Sequence, residues 1–290
     1  MLLLMIVVLP FLGLVLPLLA GHGRRALCTL LAALAPLVAL ALLLTLADAT
    51  LSGLVLQAGF EWLPGLGLNP GLRLDGLGLL FSLLILGIGL LVILYAHYYL
   101  GEDEPVGRFY AFLLLFMGAM LGLVLSANLL QMLVFWELTS LSSFLLIGFW
   151  GHRSDARRGA RMALAVTGGG GLALLAGILL IGQVVGSFDL ATVLAAGDLI
   201  RAHALYPLIL VLVLLGVFTK SAQFPFHFWL PHAMAAPTPV SAYLHSATMV
   251  KAGVFLLARL YPALSGTDLW FYLVSFTGLI TLLFGAVMAL

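Results

Sequence analysis

Apolar runs long enough to cross a lipid bilayer recur along this chain from one end to the other. A helix needs about 20 residues to cross a hydrocarbon core of about 30 Å. Hydrophobic residues make up 64% of the 290 residues and charged residues only 8%, so too little polar surface exists to cover a soluble domain. The sequence therefore predicts an all-α integral membrane protein in a lipid bilayer, and its net charge of +1 gives no indication of a nucleic acid partner.

Nine runs are predicted to form transmembrane helices. They cover residues 2–20, 26–47, 77–99, 110–127, 129–150, 162–185, 204–234, 239–262 and 269–290. The first run is interpreted as a retained span and not as a signal peptide, because Arg24 and Arg25 follow it and no basic residue precedes it. The last run reaches residue 290 without a polar tail, so we expect a partial sequence.

The arginines predict the orientation of the chain. With the N-terminus outside, the inside loops carry Arg24, Arg25, Arg108, Arg153, Arg157, Arg158 and Arg161, and the outside loops carry Arg73, Arg201 and Arg259. Positively charged residues concentrate in cytoplasmic loops. Seven arginines against three therefore favour an N-terminus outside the cell.

The two lysines follow a different rule from the arginines. Lys220 and Lys251 both fall inside apolar runs, whereas every arginine lies in a loop or at the end of a span. A desolvated lysine can release its proton near neutral pH, but an arginine cannot. Both titratable amines are therefore predicted to lie in the membrane. Inserting a charged residue at the centre of a membrane helix costs roughly 2.5 to 3.5 kcal/mol of free energy on insertion scales.

One acidic residue, Glu137, lies equally deep in an apolar run. Apolar residues precede it and a stripe of serine and threonine follows it, from 139 to 143. Desolvation would neutralise an isolated carboxylate, so we expect a cationic partner, and Lys220 is the candidate. The pair could simply pin two helices together, but ionisable groups within a membrane more often mark a proton or ion pathway.

Further protonatable groups continue this series. His245 and Lys251 lie six positions apart on the eighth run, so they do not share a helical face. His227 lies in the seventh run, and its spacing of five to His232 is not the spacing that places two imidazoles on one face as metal ligands. The sequence predicts neither a metal site nor a cofactor.

Four prolines fall within fifteen residues at the end of the seventh run and just after it: Pro225, Pro231, Pro237 and Pro239. Each removes a backbone donor and clashes with the preceding turn, so a continuous helix is not expected. Broken helices mark ion sites in transporters, because irregular backbone at membrane depth needs polar surroundings. Lys220 would lie near the C-terminal end of a half helix, where the helix dipole favours a cation.

Three stretches together resemble a known family. WELTSLSSFLLIGFW, LDGLGLLFSLLILGIG and the long stretch from GVFTKSAQFPFHFWLPHAM to TMVKAGVFLLAR are similar to the antiporter-like family. This family is shared by Mrp-type multi-subunit Na⁺(K⁺)/H⁺ antiporters and the proton-pumping membrane subunits of respiratory complex I. The form of the long stretch most resembles the N-terminal portion of the Mrp protein designated A.

The resemblance implies a division and a set of functional residues. Residues 1–127 would form transmembrane helices 1–4, and residues 128–290 the first antiporter-like bundle, helices 5–9, ahead of a second inverted half. Glu137 and Lys220 match the functional ion pair of the family, and His245 matches its protonatable position on the eighth span. Lys251 follows in the style of the Mrp proteins designated A.

The resemblance also implies a function. Protons would move along a Glu/Lys/His axis, coupled to Na⁺ or K⁺ efflux, in a complex with other antiporter subunits in a bacterial inner membrane, without enzymatic activity. Two alternatives remain open at this point. The chain could belong to a redox-driven proton pump of the NADH-quinone oxidoreductase type, or it could be a membrane scaffold with static ion pairs.

Overall fold

The described part of the chain is built almost entirely of helices. A computed structural model describes residues 1–20, 24–59 and 69–289. The α-helices are α1 Leu2–Gly13, α2 Leu16–Leu19, α3 Arg25–Leu51, α4 Gly76–Tyr99, α5 Val106–Leu125, α6 Leu129–Ile147, α7 Ser154–Val185, α8 Leu190–Ala195, α9 Gly197–Ala202, α10 Tyr206–Lys220, α11 Trp229–Ala233, α12 Thr238–Ser241, α13 Met249–Leu264 and α14 Asp268–Met288. A 3-10 helix covers Phe226–Phe228 and a π-helix covers Ala242–Ala247.

Eight helical segments of the described chain are long and apolar enough to span a membrane. They coincide with eight of the nine predicted runs, and the all-α membrane fold is confirmed. The remaining run begins with the 15-residue α10, which ends at Lys220 ahead of the prolines, as the sequence predicted. The 3-10 helix and the short α11 follow in the same run. The orientation of the N-terminus stays a prediction.

The eighth run is not the single α-helix that its hydropathy predicts. Its first part widens into the π-helix, and Thr248 then leaves the helical region with φ −132° and ψ −78° before α13 begins. The Thr248 hydroxyl donates to the Tyr243 carbonyl at 2.7 Å, five residues back. The Tyr243 hydroxyl in turn donates to the Ile85 carbonyl of α4 at 2.8 Å, which anchors the widened turn to the bundle.

A short hairpin precedes α4 and was not predicted. Strand β1, Leu56–Gly59, pairs antiparallel with β2, Gly71–Leu74, with Leu56 opposite Leu74. Each strand is only four residues long, too short for a periodic sequence signal. The Gly71 amide donates to Gln131 Oε1 of α6, so the hairpin is tied to the helix that carries Glu137.

Asp75 joins the hairpin, α4 and α13 at one end of the bundle. As the N-cap of α4, it accepts a hydrogen bond from the Gly78 amide at 3.0 Å. It also pairs with Arg73 at 3.0 Å and with both terminal nitrogens of Arg259, a buried residue of α13. Burial raises the pKa of Asp75, but the hydrogen bonds from Arg259 and Gly78 and the charge of Arg259 outweigh it and hold that pKa well below its usual value.

Asp75→Asn is expected to destabilise the protein by about 3 kcal/mol, because asparagine still caps a helix but leaves the buried Arg259 without its counter-charge. Thermal unfolding of the detergent-purified protein at pH 7 measures the change. Asp198→Asn makes the same chemical change in an exposed pair with Arg201 and should cost less than about 1 kcal/mol. Equal melting temperatures for the two variants would contradict a stabilising role of the buried Asp75–Arg259 pair.

Candidate functional site

Lys220 occupies the centre of the candidate site. It is fully buried at the last position of α10, where the dipole of that helix favours a cation. Its Nζ atom donates to the Trp136 carbonyl at 3.0 Å and to Ser140 Oγ at 2.7 Å, both on α6. The ammonium also lies over the Trp136 indole, 5.1 Å from the ring centroid. An ammonium has three N–H donors, and these two hydrogen bonds leave the third N–H without a described acceptor.

The chain breaks directly after Lys220, and other residues satisfy the freed backbone. Ala222 adopts a left-handed conformation with φ +50°, which residues with a Cβ rarely adopt. The buried Trp229 indole of α11 donates to the Thr219 carbonyl at 2.9 Å and adds a side-chain donor to this carbonyl at the helix end. Ser221 Oγ donates to the Val250 carbonyl at 2.6 Å and ties the break to α13.

The prolines have different positions around this break. Pro225 lies in the irregular segment ahead of the 3-10 helix, while Pro237 and Pro239 introduce α12. Pro231 lies within the first turn of α11, where no intrahelical donor is needed. Three of the four prolines therefore flank helix starts or the break, and Pro231 is accommodated inside a short helix.

Glu137 lies against a glycine pair of α7. A Cβ on Gly171 would overlap Glu137 Oε1, and a Cβ on Gly170 would overlap the Thr219 hydroxyl of α10. These two glycines are buried, whereas Gly168 and Gly169 have open space where a Cβ would be. The absence of side chains at 170 and 171 lets α6 and α10 bring polar groups up to the backbone of α7.

Glu137 and Lys220, the predicted partners, interact electrostatically, but their charged groups are not in direct contact in the described chain. Glu137 Oε1 is buried and has no hydrogen-bond partner among the described residues, and none of the described ion pairs includes Glu137. Lys220 instead binds the carbonyl of Trp136, the residue before Glu137. The two charges still interact electrostatically across the gap.

The serine and threonine stripe of α6 is buried and mostly satisfies itself. Thr139, Ser142 and Ser143 donate to carbonyls three or four residues back on the same helix. Ser140 does the same towards Trp136 at 3.4 Å, and it is the member of the stripe that also accepts from Lys220. The stripe therefore provides hydroxyls beside the lysine without demanding further partners.

His245 lies in the π-helix next to the break. Its ring is centred 6.0 Å from the Trp229 ring, so one tryptophan contacts both the end of α10 and this histidine. Both ring nitrogens are buried, and the ring interacts with the Ala233 backbone of α11. Single π-helical turns occur often at functional sites. The π-helix thus presents a partly buried imidazole beside the break.

The structure does not bring the other two predicted residues into this cluster. His227 lies in the 3-10 helix, stacked on Phe224 at 5.7 Å and packed against Phe284 of α14 at 4.4 Å. Lys251 is exposed in the first turn of α13. The buried cluster therefore consists of Glu137 and Lys220, with His245 connected to it only through Trp229, and it leaves His227 and Lys251 at its margins.

No group of three or more histidine, cysteine, aspartate or glutamate side chains lies close enough to hold a metal ion within the described ranges. What the buried cluster offers is a carboxylate, an amine and an imidazole surrounded by neutral dipoles. These groups suit the transfer of protons.

One feature of the site has no signal in the sequence, and a second has a signal that indicates close helix packing without saying at which glycines. The sequence gives no sign that Lys220 donates to the Trp136 carbonyl, because every residue has a backbone carbonyl. Gly170 and Gly171 did leave a signal, the run of four glycines at 168–171, but the sequence does not distinguish glycines that receive a neighbouring helix from those facing open space.

Comparisons with known proteins match both parts of the chain. Residues 126–290 match the family model described as NADH:quinone oxidoreductase/Mrp antiporter, TM. Residues 62–110 match the model described as NADH-Ubiquinone oxidoreductase (complex I), chain 5 N-terminus. The first match covers more than half of the chain and includes every residue of the buried cluster.

Individual relatives point the same way. A probable K⁺/H⁺ antiporter protein of Rhizobium meliloti, designated A/B, is 64% identical over 82% of this chain and 24% of its own length. The Na⁺/H⁺ antiporter protein of Alkalihalophilus pseudofirmus designated A is 48% identical over 97% and 35%. A chain of the Mrp complex structure from Dietzia sp. superposes with a TM-score of 0.88 at 38% identity, over 99% of this chain and 31% of that one. The chain thus spans about a quarter to a third of these relatives.

Proposed function

The chain belongs to the NADH:quinone oxidoreductase/Mrp antiporter transmembrane family, and on that premise we propose that it carries a proton path of a secondary cation/proton antiporter. The observation that carries this proposal is the buried Lys220 at the end of a broken helix, bonded to neutral dipoles and facing an unpartnered Glu137. Such an amine can change its protonation state when its neighbours move. The relatives named as components of Na⁺/H⁺ or K⁺/H⁺ antiporters support the same reading.

The proton path runs through the cluster in this proposal. Glu137, Lys220 and His245 exchange protons in the buried centre, and Lys251 passes them beyond the described bundle. His227 lies at the α14 side of the break and serves as a further relay. Because α10 ends at Lys220, a shift of this helix end would move Lys220 relative to Glu137.

The proposal places this chain in a larger assembly. It would work with other antiporter subunits in a bacterial inner membrane, exchange protons for Na⁺ or K⁺, and have no enzymatic activity of its own. The similarity to a chain of the Mrp complex supports such partners. We also propose that the N-terminus lies outside the cell. The boundary between the N-terminal helices and the antiporter-like bundle would lie between residues 127 and 128, close to the start of the family match at 126.

A redox-driven pump is the competing function, because the same family includes complex I subunits. The full-length complex in proteoliposomes with an imposed acidic interior separates the two. The antiporter reading predicts that Na⁺ or K⁺ alone discharges the pH gradient, with no electron donor. Proton movement that ignores both cations and requires NADH and a quinone would overturn it.

Glu137→Gln tests whether the carboxylate takes part in coupling. The variant removes the charge facing Lys220, so the pH optimum of cation-dependent proton flux is expected to move by about one unit or more. The same substitution at Glu102, an exposed loop residue, should leave the profile unchanged. A Glu137→Gln profile that superimposes on the wild-type profile would exclude a role in coupling.

A further inference from the structure

A basic pocket lies at the end of the bundle where α5 and α7 begin and α6 ends. Its volume is about 530 Å³. Arg108, His152, Arg157 and Arg161 contribute its polar groups, and no described acidic residue lines it. None of the three arginines has a carboxylate within 4.0 Å in the described chain. The pocket therefore concentrates uncompensated positive charge.

The arginines are oriented by the backbone around them. Arg108 donates to the Phe149 carbonyl at 3.3 Å and lies over the Phe149 ring, 5.1 Å from its centroid. Arg157 donates to the Gly151 carbonyl at 2.7 Å and to the His152 carbonyl at 3.1 Å. These contacts use only some of the five donors on each guanidinium, and the remaining donors are available to an anion.

The floor of the same pocket is apolar. Phe112, Phe144 and Leu145 line it and are only partly buried. Phe112 lies four residues after Arg108 on α5, which places it about 6 Å further along the helix axis. Arg108 and Arg157 thus lie at helix ends, and the aromatic and aliphatic surface begins about one turn deeper in the membrane.

We propose that this pocket binds one anionic phospholipid, with its phosphate between Arg108 and Arg157 and an acyl chain on Phe112 and Phe144. A free phosphate would satisfy the arginines but would leave the apolar floor unused. Basic pockets between transmembrane helices are known to receive anionic lipid headgroups. The bound lipid would fix the α6–α7 connection and thereby the helix that positions Glu137.

The test compares two arginine variants in the full-length complex. Arg108→Gln/Arg157→Gln removes both phosphate partners, whereas Arg158→Gln removes the neighbouring arginine of α7, which is exposed and does not line the pocket. The delipidated complex in detergent is titrated with phosphatidylglycerol, with phosphatidylcholine, or with inorganic phosphate. Native mass spectrometry counts the retained lipid.

The proposal predicts one tightly retained phosphatidylglycerol in wild type and in Arg158→Gln, with affinity on the order of 30-fold lower in the double variant, since each basic residue near a membrane surface contributes about 1 kcal/mol to binding. Phosphatidylcholine should bind much more weakly, and millimolar phosphate should not compete. Equal retention in the double variant and wild type would overturn the proposal. So would efficient competition by inorganic phosphate, which would identify a site for a soluble anion.

Discussion

Lys220→Arg is expected to abolish cation-coupled proton movement even though it keeps the positive charge. Arginine does not release its proton in a protein, whereas a buried lysine can. The loss should be on the order of 100-fold or more, the size typical of removing a positioned proton donor and acceptor. A static ion pair or a structural cation would instead tolerate the exchange. Counterflow of radioactive Na⁺ in proteoliposomes with the full-length complex measures the effect.

Lys220→Met separates the loss of the amine from the bulk of arginine. Methionine has a similar length and no charge, so it fits the buried position between α6 and α10 without crowding it. Both variants should assemble with their partner subunits, as judged by co-purification, and both should lack exchange. Transport by an assembled Lys220→Arg complex at more than half of the wild-type rate would refute the role of Lys220 as a proton carrier.

Gly171→Ala is expected to impair transport strongly, while Gly169→Ala should not. A Cβ at 171 overlaps Glu137 Oε1, whereas a Cβ at 169 meets open space. Both substitutions raise the helix propensity of α7 by about 1 kcal/mol, so any difference between them comes from the displaced carboxylate and not from helix stability. The readout is the rate and the pH profile of cation-dependent proton flux in the assembled complex.

The Glu137→Ala background tests whether the effect of Gly171 passes through Glu137. With the carboxylate removed, Gly171→Ala should cause little further change, because the group it displaces is gone. The double-mutant cycle would then be strongly non-additive. Additive losses would show that Gly171 matters for packing alone, and an equally impaired Gly169→Ala would show that α7 needs its glycines for another reason.

The spans and the break of this protein were readable from its sequence because each has a local cause. Hydropathy predicts helices wherever backbone groups must be satisfied in lipid. Prolines predict where the seventh helix ends, and α10 does end at Lys220. The position of that lysine at a helix terminus followed from its distance to Pro225, without knowledge of the rest of the fold.

The contacts of the site were not readable because they join distant segments. Opposite charges on two helices indicated that Lys220 and Glu137 are partners. They did not indicate that Lys220 donates to the carbonyl of Trp136, the residue before Glu137. The π-helix around His245 depends on the anchoring of Tyr243 to α4, far away in sequence. Packing between helices determines these hydrogen bonds and the π-helix. A single sequence shows which residue types are present but not which of them come into contact.

The central claim is that Lys220 lies on a proton path coupled to a cation. Its most direct test is the pH gradient across inside-out vesicles that contain the full-length chain with its partner subunits and are energised by respiration. Addition of Na⁺ or K⁺ should collapse part of the gradient in wild type and leave it intact in Lys220→Ala, with equal amounts of assembled complex. The same collapse in wild type and in Lys220→Ala would exclude Lys220 from the proton path. No collapse in wild type with either cation would exclude coupling to Na⁺ or K⁺.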